Sequence, residues 1–62
     1  MKTKEYIIDN CQAAFDACDE ILQTIPCFGG YVEDSTLPYT SFSITCREED
    51  LAYVEKKLAE FV

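Results

Sequence analysis

A chain of 62 residues with twelve acids, five bases and no histidine, net charge −7, has room for one small domain and is too poor in bases for direct nucleic-acid binding. Such a chain buries only about 60% of the surface it exposes unfolded, and one core of this size supplies roughly 3–5 kcal/mol without disulfides, a metal or a partner subunit. A hydrophobic content of 48%, with four Tyr and four Phe, excludes intrinsic disorder, and the lack of an eighteen-residue apolar run excludes a membrane-spanning helix.

The opening MKTKEYIID lacks the apolar core and small-residue cleavage site of a signal peptide, so a soluble cytoplasmic protein, one domain over 1–62, is expected. From Glu5 to Ile25 the apolar residues Ile7, Ile8, Cys11, Ala14, Phe15, Cys18, Ile21, Leu22 and Ile25 recur at three- and four-residue steps. That spacing predicts one long amphipathic helix over 5–25. Glu5, Asp9, Asp16, Asp19 and Glu20 share its opposite face, and Tyr6, Ala13, Ala17 and Thr24 form a narrow strip of mostly small residues. Pro26 ends the helix, because it supplies no amide hydrogen and pushes the preceding residue out of helical geometry.

CFGGYVE then reads as a strand with Phe28, Gly30 and Val32 inward, and YTSFSIT as a second strand with Phe42 and Ile44 inward and Tyr39, Ser41, Ser43 and Thr45 outward. The link DSTLP supplies turn residues, so the two strands are expected to pair as an antiparallel hairpin. Tyr31 and Tyr39 are expected on its outer face, and its free edges favour pairing with a second copy or a partner. Gly29 and Gly30 lack the Lys-Ser/Thr that completes a phosphate loop. A second helix starts near REED, where Glu48, Glu49 and Asp50 favour the helix dipole, and continues through Leu51, Val54, Leu58 and Phe61 towards Lys56 and Lys57 at its end. Thr45 and Glu48 have the spacing of a capping box. The fold class is α+β: a small two-layer domain of order helix-strand-strand-helix, with an antiparallel β-hairpin packed on two helices.

Segment by segment, residues 1–4 contribute +2, residues 47–62 contribute −2, and residues 5–46 contribute −7 from seven acids and no base. On a helix over 5–25, Glu5 to Glu20 spans about 22 Å, a linear charge density close to that of one DNA strand at about 3.4 Å per phosphate. Like charges at i and i+4 repel. Such a face suits docking on a basic surface, with ordinary solvation of a surface helix as the alternative.

Cys11 and Cys18, about 10 Å apart along the helix, lie beyond disulfide reach of one another. The four cysteines lack zinc-ligand spacing and any histidine, so they read as reduced, mostly buried thiols, Cys27 being the most accessible; no metal and no cofactor is expected. An enzyme would have to use Cys27 or the pair Asp16 and Glu20, and no base is spaced to serve a nucleophile. A dimeric ligand-binding or regulatory module using Tyr31, Tyr39 and the serine-rich outer face is the alternative without catalysis.

In size, acidity and minimal two-layer build the chain resembles phage-encoded anti-CRISPR inhibitors, a class that includes DNA mimics and shares no motif. That resemblance implies a partner that binds nucleic acid through a basic surface, such as a CRISPR effector subunit in the host cytoplasm. The expected contact residues, chosen from charge placement, are Asp9, Asp16, Asp19 and Glu20 at the centre, with Glu5, Glu33 and Asp34 at the margin.

Overall fold

The structure, a computed structural model, describes residues 1–33 and 36–62. Strand β1 (Lys2–Asp9) leads into helix α1 (Gln12–Thr24), followed by strands β2 (Cys27–Tyr31) and β3 (Tyr39–Cys46), a short 3-10 turn (Glu48–Asp50) and helix α2 (Leu51–Leu58). The sheet is antiparallel throughout, in the order β1-β3-β2. The α+β class and the β2–β3 hairpin therefore stand, while the order is strand-helix-strand-strand-helix and the sheet has a third strand.

That third strand corrects the long helix. In β1, Tyr6 and Ile8 face the helices and stand opposite Phe42 and Thr40, while Glu5, Ile7 and Asp9 alternate outward opposite Ser43, Ser41 and Tyr39. A strand alternates with period two, and Lys2 to Asp9 satisfy that period in full register with the central strand. Asn10 marks the break, its side-chain amide donating to the Leu37 carbonyl at 2.7 Å. Cys11 is still extended at φ −146°, ψ 158°, and the helix begins after it.

Within α1 the predicted stripe holds: Ala14, Phe15, Cys18 and Ile21 are buried, and the chain is extended again at Ile25, before Pro26. The small-residue flank also has a use, since Ala13 and Ala17 line a shallow cleft whose far wall is Lys57, Glu60 and Phe61. Ile8, Ala14, Cys18, Ile21, Phe42, Ile44, Cys46, Val54 and Leu58 form one core shared by sheet and helices.

Strand β2 faces the opposite way from the expectation. Cys27, Gly29 and Tyr31 pair with Cys46, Ile44 and Phe42 on the inner face, leaving Phe28 and Val32 outside at 72% and 67% exposure. The Tyr31 ring stacks on Phe15 with centroids 4.9 Å apart, and its hydroxyl donates to Asp19 at 3.1 Å. An amphipathic tyrosine at a sheet edge buries its ring and still satisfies its hydroxyl, which phenylalanine does not need. The capping box does not form: Arg47 precedes the 3-10 turn with no side-chain cap and bonds Asp50 at 2.8 Å, while the Thr45 hydroxyl meets that of Thr3 at 2.8 Å.

Candidate protein-binding surface

Both helices lie on one side of the sheet, so its other side is open. That face carries Thr3, Glu5, Ile7 and Asp9 from β1, Tyr39, Ser41, Ser43 and Thr45 from β3, and Phe28 and Gly30 from β2. None of these residues is basic. Small Ser41, Ser43 and Gly30 floor its middle, with exposed Ile7 and Tyr39 towards one end and Phe28 at the other. Glu5 and Asp9, four strand residues apart, are separated by about 13 Å at roughly 3.3 Å per residue.

The remaining acids lie elsewhere. Asp16, Asp19 and Glu20 are exposed on α1, on the helix side of the sheet. Glu20 is the Lys57 ion-pair partner at 2.6 Å, bridging the two helices. Asp16 accepts from the Gln12 amide at 2.9 Å, and Asp19 accepts from Tyr31. Glu33, just beyond β2, is exposed, and Asp34 lies outside the described residues. The expected single strip is thus divided between two faces of the molecule, because Glu5 and Asp9 belong to a strand. A phosphate-like row of five carboxylates along one helix axis does not exist.

The bases explain where free negative charge remains. Lys4 Nζ bonds Glu55 at 3.1 Å, Arg47 bonds Asp50 at 2.8 Å with Glu49 at 3.4 Å, and Lys57 holds Glu20. Among the described residues, Glu5, Asp9, Asp16 and Asp19 have no cation within ion-pair distance. These exposed pairs contribute little stability each, yet they leave three of the five bases offset by acids of the same chain. The sequence segment counts held the signal for this, but the sheet face was hidden by reading Glu5 to Asn10 as helix.

On the helix side, Glu55 also accepts from the Tyr6 hydroxyl at 3.0 Å. The Lys4 hydrogen bond, then that of Tyr6, hold the Glu55 carboxyl below its ordinary value. Burial and then Glu55 push the Tyr6 phenol up to about 12. The folded state therefore holds this proton more tightly than the unfolded chain, whose tyrosine titrates near 10. The resulting stabilisation is intact below about pH 10 and is lost as pH rises towards 12. Ultraviolet phenolate titration is expected to show Tyr6 ionising late, and Glu55→Gln to move that step to lower pH.

Burial raises the Cys18 thiol to about 11, which makes it inert. Among the described residues no group of three or more His, Cys, Asp or Glu is placed to hold a metal ion, and no helix is long and apolar enough to cross a membrane. Comparison with known protein families, with curated proteins and with solved structures finds no match to this chain.

Proposed function

We propose that this chain is a non-catalytic acidic protein that acts in the cytoplasm by covering a basic surface on a protein partner. The partner is a nucleic-acid-binding protein of the kind the resemblance to anti-CRISPR inhibitors implies, a CRISPR effector subunit among them. The observation that supports this reading is the unequal use of charge: three bases are spent in internal ion pairs, while Glu5, Asp9, Asp16 and Asp19 stay exposed with no cation of their own among the described residues. Exposed carboxylates of this kind steer and orient a basic partner.

The open sheet face is the contact we assign, with Glu5 and Asp9 meeting Lys or Arg and with Ile7, Tyr39 and Phe28 supplying apolar contact. A face that combines exposed apolar side chains with one sign of charge suits a partner of opposite charge. Asp16 and Asp19 add to the field from α1 rather than to the contact.

Immobilised protein mixed with nuclease-treated bacterial lysate tests this reading, with bound proteins identified by mass spectrometry. The expected result is a nucleic-acid-binding protein retained at low salt and reduced about tenfold or more at high salt. Glu5→Lys/Asp9→Lys is expected to abolish retention, and Asp16→Lys/Asp19→Lys to weaken it. Retention unchanged by both double variants would remove charge from the account and overturn the proposal.

A further inference from the structure

Cys27 and Cys46 stand directly opposite each other in the β2–β3 ladder. Both side chains are on the helix side of the sheet. Cys46 is fully buried in the core, and the Cys27 thiol is directed at the Ile21 carbonyl, 3.9 Å away at the end of α1. Directly opposed residues in an antiparallel pair have Cα atoms about 4.5 or 5.5 Å apart, depending on whether the pair is hydrogen-bonded. Both spacings fall within the roughly 4.4–6.8 Å that a disulfide spans. All four cysteines are free thiols, and only these two share a register position.

We propose that Cys27 and Cys46 are a thiol–disulfide exchange site that closes into a cross-strand disulfide on meeting a low-molecular-weight disulfide such as oxidised glutathione. Cys27, half-buried on an edge strand, is the entry point. Its thiolate attacks one sulfur of glutathione disulfide, the S–S bond of the reagent breaks, and one glutathione leaves and takes up the proton that Cys27 lost. The Cys46 thiolate then attacks the Cys27 sulfur of the mixed disulfide, a second glutathione is expelled, and the Cys46 proton goes to it. Two protein thiols are oxidised to one disulfide, and one glutathione disulfide is reduced to two thiols.

Burial raises both thiols above their ordinary value, so closure is slow at neutral pH and quickens as pH rises. The bond fastens β2 at the end away from its connection to β3. It closes the loop from 27 to 46 and takes the Cys27 S–H away from Ile21. Cys11, not Cys27 as expected, is the most accessible thiol, because it lies in the extended link between β1 and α1 rather than on the buried stripe of a helix. It stands in no strand pair, so it has no thiol opposite it to displace glutathione. This site is independent of the proposed charge-mediated binding.

The sequence favours a clean assay. Residues 5–46 contain no Lys or Arg, so trypsin leaves all four cysteines in one peptide, whereas cleavage after glutamate separates Cys27 in 21–33 from Cys46 in 34–48 and from Cys11 and Cys18 in 6–20. The reduced full-length protein is incubated with oxidised glutathione, quenched with an alkylating reagent and digested under non-reducing conditions. A linked 21–33/34–48 pair is expected, with a melting temperature raised by about 10–20 °C for a loop of this length. Cys27→Ser is expected to lose both the link and the rise. Cys46→Ala is expected to stop at a persistent mixed disulfide on Cys27. Wild-type protein that also stops at that mixed disulfide, or that links through the 6–20 peptide instead, would overturn the proposal.

Discussion

Gly29→Ala is expected to detach β2 from the sheet, while Gly30→Ala, one residue along, leaves the protein as stable as before or slightly more so. A Cβ at Gly29 would collide with the Ser43 carbonyl oxygen and stand 2.9 Å from the Ile44 Cα. Both are backbone atoms of the central strand, so relief requires opening the β2–β3 ladder. The cost of such overpacking is about 1–3 kcal/mol, against a total of roughly 3–5 kcal/mol for a domain of this size. A Cβ at Gly30 meets nothing within 4 Å, and reduced freedom of the unfolded chain then favours the alanine by about 0.4–1 kcal/mol. Urea denaturation of the two variants decides it: equal midpoints would mean that β2 does not approach β3 as closely as described. The detached strand also takes Cys27 away from Cys46, so Gly29→Ala is expected to lose the glutathione-driven cross-link while Gly30→Ala keeps it.

Where one periodicity was the only one available, the sequence was readable. From Gln12 to Thr24 no period-two pattern competes with the helical one, and of the residues expected inside, Ala14, Phe15, Cys18 and Ile21 are buried and Leu22 is half-buried against them. Phe42 and Ile44 alternate with hydroxyl residues, and both are buried as expected. The difficulty lies in Glu5 to Asn10, where adjacent Ile7 and Ile8 satisfy a helical stripe and a strand equally. Only one of them is buried: Ile8 is 1% exposed and Ile7 50%. Thr3, Tyr6, Ile7 and Ile8, all β-branched or aromatic and followed by Asp9-Asn10 as a break, carried the competing strand signal. The inverted facing of β2 has a different cause, because ranking Phe above Tyr for burial ignores that Asp19 and Phe15 together make an edge site suited to a tyrosine.

The candidate site was legible as charge and not as place. Base-free residues 5–46 gave the sign and the excess, and these follow from composition alone. Which carboxylates share a face depends on whether Glu5 and Asp9 repeat with a period of two or of 3.6. Glu20 shows the second obstacle. Its partner Lys57 is distant in sequence and reaches it only because α2 returns beside α1. Burial does not raise a cost here: both groups are exposed enough for the pair to be weak, and breaking it changes the available charge more than the stability.

Phe42→Ala is expected to leave the chain largely unfolded at 25 °C. Phe42 is fully buried at the middle of the central strand, with Tyr6 of β1 and Tyr31 of β2 as its register partners. It shares the core with Ile8 of β1, with Cys18 and Ile21 of α1 and with Val54 and Leu58 of α2, so β1 and both helices give fully buried residues to the cluster around it. Truncating such a phenylalanine costs about 3–5 kcal/mol, which matches the whole of what a domain of this length has to spend. Phe42→Leu, which keeps most of the volume, is expected to cost about 1.5 kcal/mol or less and to fold. Far-ultraviolet circular dichroism with urea titration separates the two. The leucine variant then serves as a reference for both functional assays, since it weakens the core without changing a charge or a thiol. Binding and selective 27–46 closure should persist in it, whereas the alanine variant should lose binding and react with oxidised glutathione faster and without selectivity among its four cysteines, because both functions require β1, β2 and β3 to be held in one sheet. A cooperative Phe42→Ala transition with a loss below about 1.5 kcal/mol would mean that the core is organised around another residue.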